Sequence, residues 1–177
     1  MQKHISILRG INVGGAKKIL MADLKALYES LGFTNVRTYI QSGNVAFATD
    51  STADLTALIQ TAIATKYCFD VPIIVLTNTE LTAIVQNNSF IVLTEDTTKL
   101  HVTFLGATPT ETALMKLQKL SFAPDAFQIT DRAVYLHCPI DYGHTKLSNS
   151  FFEKQLKVTA TTRNWKTVLA LVKLNEI

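Results

Sequence analysis

The order of elements predicts an α+β chain made of two ferredoxin-like (split βαβ) subdomains in tandem, the second ending in helices. Three observations lead there. Short β-rich runs and helix-period stretches follow one another as β-α-β-β-α-β over residues 1–76. A second round of the same plan opens at Leu100. Between them, Thr94-Glu95-Asp96-Thr97-Thr98-Lys99 is uniformly polar, so residues 1–93 are expected to form one subdomain and 99–177 the other.

The first strand, Ile5-Ser6-Ile7-Leu8, is apolar and stops at Arg9. Leu20, Leu24, Leu27, Tyr28 and Leu31 recur at helical spacing and predict a helix over 21–31, with Gly32 as its stop. Val36–Ile40 and Val45–Ala48 flank Gln41-Ser42-Gly43-Asn44, a hairpin signal. A helix over 52–67 follows, then a strand over 71–76 with Pro72 at its start, where a missing N–H is tolerated. Thr77-Asn78-Thr79-Glu80 is a capping box for a helix to Gln86.

In the second half, Leu100–Leu105 reads as a strand, and Thr108-Pro109-Thr110-Glu111 as a capping box opening a helix to about Leu120. Phe127–Thr130 and Ala133–Cys138 form a hairpin about Asp131-Arg132, and Asn149–Leu156 a short helix capped by Ser148. A helix over 163–174 takes the place where a fourth strand would come.

Composition narrows the function classes. The chain has 177 residues and a net charge of +3, with no Lys/Arg run long enough for a nucleic-acid patch. No apolar run approaches the roughly 20 residues of a membrane helix, and Arg9 interrupts any signal-peptide core. Cys68 and Cys138 fit neither a metal spacing nor a redox motif and read as buried free thiols. A cytoplasmic protein without membrane attachment or cofactor is expected.

The chemistry-bearing residues gather in predicted loops. Gly10, Gly14 and Gly15 supply three of the seven glycines and, with Arg9 and Lys17, suggest an anion nest. The loop fits neither GxxxxGK[ST] nor GxGxxG. Gln41, Ser42 and Asn44 place amides and a hydroxyl at the hairpin, where they either bind a ligand or satisfy the turn. Lys146 precedes the helix capped by Ser148, and Arg163 and Lys166 fall in the first turn predicted for the last helix. Cations at the positive end of a helix imply an anion or a carboxylate nearby. His144, beside Lys146, and Asp141 are the only acid/base pair near these loops. No HxH, HxxxH or GxSxG pattern exists.

The blocks Leu8-Arg9-Gly10-Ile11-Asn12-Val13-Gly14-Gly15, Arg37-Thr38-Tyr39-Ile40-Gln41-Ser42-Gly43-Asn44-Val45 and Thr162-Arg163-Asn164-Trp165 resemble the signature blocks of a bacterial family called domain of unknown function 1697. Asp70-Val71-Pro72, His101-Val102-Thr103-Phe104-Leu105 and Lys146-Leu147 resemble its weaker blocks in order. The resemblance spans essentially the whole chain and implies an α+β architecture with ferredoxin-like subdomains and no particular activity. Ser89, Cys138 and Lys166 depart from the pattern, which leaves the position after Trp165 without an implied role.

The expected function is binding of a small phosphorylated or carboxylated ligand by Arg9, Asn12, Gly14, Gly15, Lys17, Gln41, Ser42, Asn44, Lys146, Arg163 and Asn164. Three alternatives stand beside it. One is an enzyme acting on a phosphorylated substrate through His144 or Asp141. Another is a nucleic-acid-binding module stacking bases on Tyr39 and Phe47. In the last, the same loop residues only satisfy backbone groups.

Overall fold

The computed structural model describes residues 1–176, with two four-stranded antiparallel sheets and six α-helices among them. The chain is α+β. Two compact units carry one sheet each: Met1–Thr82 with the residues from Ala170 onward, and Ala83–Leu169.

The first unit contains β1 (Gln2–Leu8), α1 (Met21–Ser30), β2 (Thr34–Tyr39), β3 (Asn44–Thr49), α2 (Leu55–Tyr67) and β4 (Ile73–Thr77), with sheet order β2-β3-β1-β4. Central β1 is buried on both faces from His4 to Leu8, which is why its sequence is a nearly unbroken apolar run. On one face Leu8, Val45, Phe47 and Ile73 pack against Leu24, Leu27 and Tyr28 of α1 and Ile59 and Ile63 of α2. Ser6, like His4, is a buried polar residue of this strand. Its hydroxyl meets the Tyr28 hydroxyl at 2.7 Å, so neither buried group is left unpaired.

Helix limits follow the side chains that close them. Gly32, at φ +82°, donates its N–H to Glu29 and stops α1 as expected. α2 starts at Leu55 rather than at residue 52, because Asp54 supplies the cap through the Ala57 N–H. It ends on Cys68 in the left-handed region, which leaves that thiol exposed rather than buried. The Thr77/Glu80 capping box forms, with Glu80 accepting the Thr77 N–H at 2.7 Å and Thr77 the Glu80 N–H at 3.2 Å, and starts α3 (Asn78–Gln86).

The second unit contains β5 (Leu100–Leu105), α4 (Glu111–Gln118), β6 (Ala126–Ile129), β7 (Ala133–His137), α5 (Asn149–Leu156) and β8 (Ala160–Asn164), and α6 (Trp165–Glu176) begins there. Its sheet order is β6-β7-β5-β8. Leu105, Val134, Leu136 and Cys138 pack against Leu117 of α4 and Phe152 and Leu156 of α5. Two expectations need correction. The cap of α4 is Thr110, which accepts the Ala113 N–H, and not Thr108. A fourth strand does exist: β8 pairs with β5 where a helix from Arg163 was expected. Ala160, Thr161 and Thr162 suit a pleated surface, and the Thr103 and Thr162 hydroxyls meet across the pair at 2.7 Å. Arg163 is therefore a strand residue, and Asn164 caps α6 by accepting the Thr167 N–H at 2.8 Å.

Gly43 closes the β2–β3 turn at φ +77° and accepts the Leu8 N–H at 2.8 Å. A Cβ there would stand 2.7 Å from Ile11 Cδ1 and 2.8 Å from Leu8 Cβ. Gly43→Ala is expected to lower stability by about 2–4 kcal/mol, combining left-handed strain with overpacking, as measured by urea unfolding.

Candidate functional site

In the first unit, the residues singled out in the sequence form two loops tied together. The segment from Gly10 to Lys17 has five residues at positive φ: Gly10, Asn12, Gly14, Gly15 and Lys17. Asn12 holds it in place. Its Oδ1 accepts the Ile19 N–H at 2.9 Å, and its Nδ2 donates to the carbonyls of Ile19 and Gln41 at 2.9 and 3.0 Å. Asparagine suits the position because it tolerates left-handed geometry while its amide both donates and accepts. Buried Asn44 donates to the Tyr39 carbonyl and to the Ser42 hydroxyl. Lys17 Nζ donates to the Asp70 carbonyl, and the Arg9 N–H to the Pro72 carbonyl. Gly14 and Gly15 stand exposed at the tip with open space around them. Phe47 packs against Phe33 in the core, with ring centroids 4.5 Å apart.

Three of the singled-out residues of the second unit, Asp141, His144 and Lys146, line one cleft of about 360 Å³ together with the turn Ser121–Asp125 and Ile140. That volume lies in the range of small-ligand sites. The Tyr142–His144 turn positions the pair: Asp141 Oδ2 lies 3.0 Å from His144 Nδ1, and the Gly143 N–H also donates to Asp141. These two bonds, the backbone one first, hold the Asp141 carboxyl below the usual carboxylate range. Gly143 is needed close by, since a Cβ there would stand 2.8 Å from Asp141 Oδ2.

Asp125 accepts the Thr145 hydroxyl, and Thr145 accepts the Leu147 N–H. Beneath them, burial first and Asp125 second push the Cys138 thiol up to about 11, so it stays protonated. Among the described residues no carboxylate lies within ion-pairing distance of Lys146. Both carboxylates of the cleft are thus engaged, while Lys146 and His144 line it as exposed side chains. This arrangement can hold an anionic group and exchange a proton beside it.

Arg163 lies apart from this cleft lining, on β8. It donates to the Thr162 carbonyl at 2.9 Å, and burial lowers its pKa to about 10, leaving it charged at neutral pH. Thr162 in turn donates to Asn149, and the ring of Tyr142 stacks on His101 with centroids 4.5 Å apart. Sequence reading missed the Ser121–Asp125 wall. Its one signal was the Pro124-Asp125 dipeptide, which marks a turn but no partner. No group of three or more His, Cys, Asp or Glu suited to a metal ion exists among the described residues. Among them too, no helix is long and apolar enough to cross a membrane.

By structure the chain is an α+β protein with two four-stranded antiparallel sheets. The model of the protein family of unknown function DUF1697 matches residues 1–135, and the chain belongs to that family. The solved structure of a conserved bacterial protein, SP0830 from Streptococcus pneumoniae, is similar in fold, with a TM-score of 0.77 and 24% identity over 98% of both chains. Comparison with curated proteins returns no match.

Two outcomes follow from these geometries. Asn12→Ala removes two hydrogen bonds within the glycine loop and one to the Gln41 carbonyl of the β2–β3 turn, and is expected to lower stability by about 2–3 kcal/mol in urea unfolding. His101 has its pKa lowered from 6.5, by burial first, against the opposing Lys99 backbone bond and Asp141 charge. Its unfolded state binds the proton more readily, so the stability carried by the neutral ring is complete above pH 6.5 and is lost as pH falls through the folded value. His101→Phe, which keeps the stack on Tyr142, should flatten the fall in urea midpoint between about pH 7 and about pH 5.

Proposed function

We propose that this protein binds a small phosphorylated or carboxylated molecule in the cleft of the second unit. The observation that carries the reading is that Lys146, without an acidic partner among the described residues, shares one cleft with the Asp141–His144 pair. Lys146 supplies a point charge to an oxyanion, and His144 a directed hydrogen bond whose ring orientation Asp141 fixes. The loop residues Asn12, Gln41, Ser42 and Asn44 act here as framework, since the amides of Asn12 and Asn44 and the carbonyl of Gln41 are engaged within the loops.

A second reading, an enzyme acting on a phosphorylated substrate, is favoured by the 3.0 Å contact between Asp141 and His144. With Nδ1 held by the carboxylate, Nε2 accepts a proton from an attacking hydroxyl or returns one to a leaving oxygen, while Lys146 stabilises the developing charge.

Strand orders β2-β3-β1-β4 and β6-β7-β5-β8 support a reading of the two sheets as two ferredoxin-like subdomains. The exposed free thiol of Cys68 fits a reducing, cytoplasmic setting.

Inorganic phosphate, pyrophosphate and citrate are the probes in a thermal-shift titration. At about ten times Kd, the expected stabilisation is about 1.4 kcal/mol, a rise of a few degrees in Tm. Lys146→Ala should weaken binding about tenfold. Equal affinity in Lys146→Ala and His144→Ala overturns the site. Turnover of phosphate monoesters that disappears in His144→Ala selects the enzymatic reading.

A further inference from the structure

A second groove of the same unit lies beside β6, and it has its own ligand chemistry. β6 is the outer strand of its sheet. The Thr130 N–H donates to the Ala133 carbonyl at 2.8 Å, closing the two-residue turn, so hydrogen-bonded and non-hydrogen-bonded pairs alternate from there. Gln128–Tyr135 and Ala126–His137 are then the bonded pairs. Phe127 and Ile129 consequently turn their N–H and C=O groups away from β7. Among the described residues, no hydrogen bond reaches these four groups. They border a groove of about 500 Å³ walled by all of β6 on one side and by Gln118, Leu120 and Phe122, from the end of α4 onward, on the other.

Two donor–acceptor pairs two residues apart, about 7 Å along the strand, match the repeat of an extended backbone. A small anion or a single ring engages one pair and leaves the other unmatched. We propose that this groove takes an extended, acidic segment of a partner protein, which adds to the sheet as a fifth strand beside β6. Leu120, 40% exposed, and half-buried Phe122 receive alternate apolar side chains of the guest. Acidity follows from the charges beside the groove. Lys116 and Lys119 do not line it but stand exposed at the end of α4, close in the chain to the wall residues Gln118 and Leu120. Asp125, the only acid lining the groove among the described residues, already accepts the Thr145 hydroxyl. The edge is four residues long, short enough to limit sheet-to-sheet aggregation between copies while admitting a short segment.

The test uses the full chain, isotope-labelled for amide NMR. The probe is a pool of acetylated, amidated hexapeptides alternating glutamate with valine, threonine, leucine or phenylalanine. The expected result is slowed exchange and shifted signals at the Phe127 and Ile129 amides. N-methylation of the peptides along the pairing edge should weaken binding about tenfold, the loss of two net backbone hydrogen bonds. Replacing glutamate by lysine should weaken it as well. N-methylated peptides that bind as tightly as their parents overturn the proposal, as does a pool that leaves exchange at Phe127 and Ile129 unchanged. Equal binding of the lysine pool overturns the acidic guest. Lys146→Ala is expected to leave peptide binding unchanged, so this proposal and the small-anion site fail separately.

Discussion

The approach of the Gly43 backbone to Leu8 and Ile11 is the constraint on which the first unit depends. No Cβ fits there, so the β2–β3 turn can lie directly on the exit of β1. The Leu8 N–H then reaches the Gly43 carbonyl, and the side chains of Leu8 and Ile11 stay buried beneath the turn. Asn12 completes the arrangement by spanning the glycine loop and the Gln41 carbonyl. A loop with five residues at positive φ would otherwise be a costly excursion of the chain; here one carboxamide closes it with three hydrogen bonds. Residues that look like ligand groups in the sequence thus also serve the backbone.

The second unit solves a different problem. Its polar residues are not spent on closing strained backbone but on orienting one another. Gly143 leaves room for the Asp141 carboxylate, which fixes the ring of His144, and Thr145 engages Asp125 while anchoring the Leu147 N–H. The wall opposite comes from the Ser121–Asp125 turn, more than fifteen residues earlier in the chain. The same turn separates the cleft from the groove along β6, so Ser121, Phe122 and Asp125 belong to both. One short turn therefore borders two surfaces of different chemistry, one presenting side-chain charge and the other open backbone.

Much of the local structure was legible. Hydrophobic period and capping residues located β1, α1, the first hairpin, α3, β5, the second hairpin and α5, because each of these is decided within a few residues of itself. The error at β8 has a clear source. Thr159 to Thr162 carry the β-branched signal of a strand, but threonine is also a common helix cap and the apolar period of the next helix opens at Trp165, only three residues on, which hides the boundary. The consequence was chemical as well as structural, since Arg163 was read as a cation at a helix start and is in fact a strand residue against Thr162.

By itself the sequence determined the α+β class, the order of most elements and the residue types able to carry charge, since propensity, period and capping act over a few neighbours. Tertiary structure alone decided which of those groups meet. It matched Asn12 to carbonyls 7 and 29 residues away, joined Lys146 to the Asp141–His144 pair in a cleft closed by a distant turn, and left the outer edge of β6 without a strand partner. Such meetings depend on how strands order themselves in a sheet and on which backbone groups that order leaves over. No local pattern of residues encodes either one.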